Sequence, residues 1–218
     1  MTIFFDADDT LWNTERRYFE KQQEIALYCA TQYELNYDEI LTSIVAGCNE
    51  YMSGPLSRSI FPETCVKICA KLIYNLTSYD IIVIYRICES VFNYTPKLKE
   101  NTIETLIELG RMGHSCVILT VGDENMQSAK IFKSKVYQYI SDAIITPIKS
   151  VEFYAGIKAK FPQNKYIMVG DRFDNDIENS VAVGFYGIWL HEQNKTHSKY
   201  IYEISDIKYL PKVVKEIG

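Results

Sequence analysis

The first twelve residues, MTIFFDADDTLW (Met1–Trp12), decide how the rest of the chain is read. Ile3, Phe4 and Phe5 form a short apolar run that ends abruptly in Asp6, Asp8 and Asp9, with Thr10 behind them. An apolar run this short fits a strand buried on both faces, as in parallel sheets. Carboxylates this close repel one another unless they are well hydrated or face a compensating charge. So either the acids form a solvated turn, or the strand delivers them to a site that holds a cation.

Bulk properties narrow the choice. The chain has 218 residues and is 47% hydrophobic, enough for one large domain or a core with a smaller accessory domain. A net charge of -5 argues against a broad nucleic-acid-binding surface. The 17 tyrosines are scattered rather than interleaved with basic residues, so no base-stacking platform is implied. No basic stretch precedes the first apolar run, so no secretory signal is expected. No apolar run approaches the ~20 residues of a membrane span. A cytoplasmic protein with neither a membrane nor a nucleic-acid partner is expected. Cys29, Cys48, Cys65, Cys69, Cys88 and Cys116 include no C-x-x-C pair and read as buried free thiols. Cys65 and Cys69 lack the further partners a zinc site needs. The N-x-[ST] triplets at Asn75, Asn93 and Asn194 read as chance without a secretory signal.

Two textures follow the opening strand. Residues 14–93 read as helical, with helices from about Thr14, over about Tyr37–Asn49, over Thr64–Leu76 and over Ser78–Tyr94. The third shows Val66, Cys69, Ala70 and Ile73 at helical spacing. The fourth contains IIVIY, which resembles a strand, but the run is too long and lacks turn residues. A Gly/Pro/Ser loop separates the second helix from the third. From Pro96 the texture alternates. A helix with Pro96 in its first turn ends near Gly110–Gly113. SCVILT, SDAIIT, YIMVG and YGIWL then read as strands, with helices between them. This pattern predicts an α/β fold, a parallel Rossmann-like sheet flanked by helices, built from 1–13 and 94–218 with a helical segment, 14–93, inserted.

In such sheets ligands bind beyond the carboxyl ends of the strands. That edge collects Asp6, Asp8 and Asp9, then Thr120, then Lys149, then Asp171 through Asp176. Carboxylates from two strand ends suit a shared hard cation such as Mg2+. A lysine and a hydroxyl beside them suit a phosphate. A carboxylate can attack phosphorus, and a second can move the proton. Asp9 also reads as a turn cap, Asp174 as a solvated loop acid, and Asp176 as a helix N-terminal acid favoured by the dipole. His191-Glu192 does not extend to H-E-x-x-H, since Lys195 stands where the second histidine belongs.

DADDT, the strand ending in Thr120, Lys149, and GDRFDND, in that order, resemble the haloacid dehalogenase-like (HAD) hydrolase superfamily. FDADDTLW, LTVGDENMQ and GIWLHE are similar to a branch with an FDxDDTLW opening. The resemblance covers the whole chain, with the helical segment placed as a C1-type cap. It implies a Mg2+-dependent phosphatase acting on a small phosphorylated substrate. In that reading Asp6 is nucleophile and metal ligand, and Asp8 is general acid/base with its carbonyl on the metal. Thr120 and Lys149 hold the phosphoryl group, while Asp171 and Asp176 serve the metal. Lys149 is followed by Ser150 where the family often has proline, and Lys130 and Lys158 are weaker candidates inside predicted helices. In C1-capped relatives the cap loops contact substrate, which makes Arg58, Tyr51 and Ser57 candidates here. A sugar-phosphate mutase or a non-hydrolytic phosphoacceptor or binding protein would use the same residues. A dehalogenase needs no metal and typically lacks the second aspartate. Oligomeric state and the substrate itself are not legible.

Overall fold

The computed structural model describes residues 1–51, 60–161, 165–191 and 199–218. The chain divides into two compact units, Met1–Asn13 with Pro96–Gly218, and Thr14–Thr95.

The first unit is built on six parallel strands. They are β1 (Thr2–Phe5), β2 (Ser115–Val121), β3 (Asp142–Thr146), β4 (Tyr166–Gly170), β5 (Tyr186–Leu190) and β6 (Ile201–Ile204). Their order across the sheet is β3-β2-β1-β4-β5-β6, so β1 lies between β2 and β4. Because side chains alternate across a strand, Ile3 and Phe5 pack on one face and Phe4 on the other. The first face is covered by Leu106 and Leu109 of α5 (Thr102–Arg111), Ile131 of α6 (Glu124–Ser134), and Val214 and Ile217 of α9 (Leu210–Ile217). The second is covered by Tyr154 and Ile157 of α7 (Val151–Lys160) together with Phe185. Both faces of the central strands β1, β2 and β4 are therefore dry, which is why they read as unbroken apolar runs.

The register carries the site. Phe5 lies beside Ile118 on one side and Val169 on the other, and Asp6 N donates to Val169 O at 2.8 Å. Asp6 therefore leaves the sheet level with Gly170. Two expectations shift here. Pro96 is not in a helix. Leu98 bridges to Trp12, and Lys99 N donates to Leu11 O, so this segment is drawn out along the first loop and α5 starts at Thr102. The helix expected between YIMVG and YGIWL is a π-helical turn, Phe173–Glu178, followed by the short α8 (Asn179–Val181).

The second unit contains α1 (Glu15–Tyr33), α2 (Tyr37–Tyr51), α3 (Ile60–Leu72) and α4 (Ser78–Glu89). Its core holds Ile25, Ile44, Phe61, Ile68 and Ile84 with Cys29, Cys48, Cys65, Cys69 and Cys88. The cysteines are free, as expected; Cys29 and Cys69 sulfurs lie 3.9 Å apart, and those of Cys48 and Cys65 3.8 Å. The buried face of α3 includes Cys65 and Ile68, whereas Ala70 is exposed.

One buried polar cluster ties α1 to α4. Asp80 is 3% exposed and accepts from Thr77 N at 2.8 Å, from Thr77 Oγ1 and Tyr28 Oη at 2.5 Å each, and from Tyr33 Oη. With the return bond from Asp80 N to Thr77 Oγ1, it closes a capping box at the start of α4. These hydrogen bonds, led by that of Thr77, hold the Asp80 carboxyl well below the usual carboxylate range. A depressed folded-state value means a contribution present above the unfolded pKa near 4 and lost as pH falls through the folded value. Asp80→Ala is expected to cost about 2–3 kcal/mol at pH 7, and this deficit is expected to shrink below about pH 4. Urea unfolding of both chains at pH 7 and pH 3, followed by circular dichroism, checks both statements.

Candidate active site

Each acid at the strand ends is placed by its own local structure. Asp6 follows β1 directly. Asp9 has a left-handed backbone, φ 59°, and its N–H donates to Trp12 O at 2.7 Å, closing the loop that turns the chain back after Asp8. Asp171 follows β4. Asp176 lies in the π-helical turn and accepts from Arg172 N at 3.2 Å. A β-carbon on Gly170 would sit 2.2 Å from Asp176 Oδ2, so glycine is required there for the carboxylate to reach the strand end.

Oxygens of Asp6, Asp171 and Asp176 all lie within 4.8 Å of one another. Lys149 is 1% exposed and donates to Asp6 Oδ1 at 2.5 Å and to Asp176 Oδ1 at 2.6 Å. It sits just before α7, where Ser150 Oγ caps Phe153 N, and Asn179 Nδ2 donates to Lys149 O at 2.9 Å. Burial opposes charge on the ammonium, but Asp176 and Asp6 outweigh it and raise the lysine above its ordinary value. Burial pushes Asp6 well up, against the pull of Lys149. Burial, and then the charge of Asp176, push Asp171 to about 6. Three carboxylates with one ammonium remain short of positive charge. An all-oxygen donor set of this kind fits a hard divalent cation such as Mg2+.

Two side chains that the sequence reading did not single out fix Asp171. Thr10 Oγ1 donates to Asp171 Oδ1 at 3.1 Å, and Trp189 Nε1 donates to Asp171 O at 2.9 Å. His191 stacks on Trp189 with ring centroids 4.3 Å apart. Thr10 was legible as part of DADDT, and Trp189 only as part of GIWLHE, with no role attached to it.

Asp8 is turned to different partners. Lys130 Nζ donates to both its oxygens, at 2.8 and 2.9 Å. Gln127 Nε2 donates to Oδ2 at 2.7 Å, and Trp12 Nε1 to Oδ1 at 2.7 Å. Lys130 is thus beside Asp8 rather than Asp6. Lys158 donates instead to Val183 O, away from the acids. Thr120 is buried near the end of β2, level with Ile145. Asp174 pairs loosely with Arg172 at 3.8 Å on the surface. Arg58, Ser57 and Glu192 lie outside the described residues.

The family model for haloacid dehalogenase-like hydrolases matches residues 1–184. A haloacid dehalogenase-like family hydrolase from Xanthomonas campestris superposes with a TM-score of 0.84 at 19% identity, covering 100% of this chain and 91% of that one. The Bacillus subtilis protein YfnB, solved bound to magnesium, gives 0.67 at 17%, covering 98% and 97%. An L-2-haloacid dehalogenase from Xanthobacter autotrophicus, with chloropropionic acid covalently bound, gives 0.65 at 13%, covering 100% and 99%. No match was found among curated proteins.

The central lysine is the most sensitive point of this cluster. Lys149→Met leaves buried carboxylates facing one another and is expected to destabilise the chain by about 3–5 kcal/mol. Excess Mg2+ is expected to restore part of that loss. Denaturant titrations with and without the ion measure both effects.

Proposed function

The chain belongs to the haloacid dehalogenase-like hydrolases, and we propose that within them it is a Mg2+-dependent phosphatase for a small phosphorylated metabolite. The observation that carries this reading is the convergence of Asp6, Asp171 and Asp176 around Lys149 at one sheet edge. That set suits a cation and an anion together: acids for the metal, an ammonium for the phosphoryl group. YfnB's bound magnesium supports the choice of ion. The presence of Asp8 beside a metal-suited triad favours phosphoryl transfer over dehalogenation.

In this reading Asp6, Asp171 and Asp176, with the Asp8 carbonyl, would hold Mg2+, which would supply positive charge against the phosphoryl oxygens. An Asp6 oxygen attacks phosphorus. The bond from phosphorus to the leaving oxygen breaks, and Asp8, entering this step in its protonated form, gives that oxygen its proton and becomes a carboxylate. Water then attacks the phosphorus and gives its proton to Asp8. The Asp6–phosphorus bond breaks, releasing phosphate and restoring the carboxylate. Lys149 balances the charge of Asp6 and of the incoming phosphate, and the Thr120 hydroxyl donates to a phosphoryl oxygen. By its resemblance to the family, the inserted helical segment would serve as a cap that keeps bulk water from the reaction, with Arg58 as a candidate substrate contact.

Phosphate release from p-nitrophenyl phosphate and a panel of phosphorylated metabolites tests the proposal. The wild type is expected to turn over with Mg2+ and to stop with EDTA. Asp6→Asn is expected to lose at least about 1000-fold. A wild type inactive on every monoester, with Mg2+ present, would refute the phosphatase reading.

A further inference from the structure

The loop and helix after β2 carry an arrangement that the phosphatase reading does not use. Gly122 has φ 147°, a conformation that glycine adopts freely, and a β-carbon there would lie 2.9 Å from Gln127 Nε2. Asp123 caps α6 by accepting from Met126 N at 2.9 Å. The cap fixes the first turn of α6, so Gln127 and Lys130, three residues apart, share one helix face. Both are buried, Gln127 at 3% and Lys130 at 6% exposure.

Burying a lysine and a glutamine is costly unless their polar atoms are used. Here the Lys130 ammonium and the Gln127 amide nitrogen converge on one carboxylate, while Gln127 Oε1 is buried with no partner among the described residues. Gln127 Nε2 bridges Val121 O, at 2.9 Å, and Asp8 Oδ2. Those two acceptors fix the orientation of the amide, since a reversed amide would set its oxygen against two others. Lys130 grips both Asp8 oxygens, and Trp12 Nε1 holds Oδ1 from the other end of the loop. Asp8 itself keeps 27% of its side chain exposed, against 8% for Lys130. Asp8 therefore stays partly open to solvent with both of its oxygens engaged by these donors.

We propose that Gln127 and Lys130 are positioning residues that hold Asp8 in place to protonate the leaving group. The inference rests on the phosphatase reading and adds to it a pair of residues that bond Asp8 rather than Asp6, Asp171 or Asp176. A proton donor must lie within hydrogen-bond reach of the departing oxygen, and one held in place loses no time or entropy in finding it. The requirement falls unevenly on substrates. An alkoxide leaving group needs its proton as the bond to phosphorus breaks, whereas p-nitrophenolate is stable enough to leave without one.

The test measures kcat/KM, which reports the steps through departure of the leaving group, for wild type, Lys130→Met and Gln127→Leu in saturating Mg2+. One substrate is p-nitrophenyl phosphate; the other is an alkyl phosphate monoester that the wild type hydrolyses. For each variant the alkyl phosphate is expected to lose about 10- to 100-fold, at or below the lower end of the roughly 100- to 10,000-fold range for proton-transfer catalysis because the acid itself remains, and the aryl phosphate less than about threefold. Lys130→Arg, which keeps the cationic donor, is expected to recover most of the loss on the alkyl substrate. Retained aryl activity is the control for folding. Equal losses on both substrates, no loss, or a gain on removing the donors would overturn the positioning role while leaving the phosphatase reading standing. A wild type inert toward all monoesters would remove that reading, and this inference with it.

Discussion

A single buried ammonium makes the edge of the sheet possible. Parallel strands β1 and β4 run side by side in register, so the acids that follow them emerge within a few ångströms of one another. Without a cation among them the cluster would have to protonate or splay apart. Lys149 answers Asp6 and Asp176 with two short bonds. Buried ion pairs of this kind add little net stability, because removing the charges from water offsets most of the attraction. Their presence at the strand ends is better understood as a cost the fold bears for a charged site than as a device that holds it together.

Asp6 and Asp8 are two residues apart, yet their repulsion is relieved by different lysines from different elements. Asp6 looks to Lys149, ahead of α7; Asp8 looks to Lys130, within α6. The tight loop around Asp9, fastened by Lys99 Nζ donating to Asp9 O, turns the chain between the two environments. Two carboxylates of one short motif can then do unlike work, since one is enclosed with other acids and the other rests against Lys130 with part of its surface open. The separation of acid roles by environment rather than by residue type is a general way to obtain nucleophile and proton carrier from the same side chain.

Much of this was legible in the amino-acid pattern. YIMVG and YGIWL match β4 and β5 residue for residue, because a strand buried throughout, as β4 is, or at its centre, as β5 is, admits mainly apolar side chains and small ones. What escaped was set by tertiary contacts. Pro96 had the look of a helix start, but pairing of Leu98 with Trp12 draws that segment out. In α3 apolar residues occur on more than one face, and only packing within the helical unit selects Cys65 and Ile68 over Ala70. The sequence reading assigned nothing after Leu190 and so missed β6 and α9. It also placed Lys130 among the lesser candidates for pairing with Asp6, since a lysine inside a helix carries no mark of which neighbouring loop it will meet.

Both tryptophans of the chain end on this site: Trp12 Nε1 on the Asp8 carboxylate, Trp189 Nε1 on the Asp171 carbonyl. Indole emission responds to the charge and hydrogen bonding around its ring, and Trp189 has in addition the His191 ring stacked against it at 4.3 Å. The chain therefore carries an intrinsic optical reporter at each of its two acid environments. Replacing one tryptophan with phenylalanine would leave a spectrum that follows the other site alone, so that events at Asp8 and at Asp171 can be timed separately in a stopped-flow fluorimeter without any added dye.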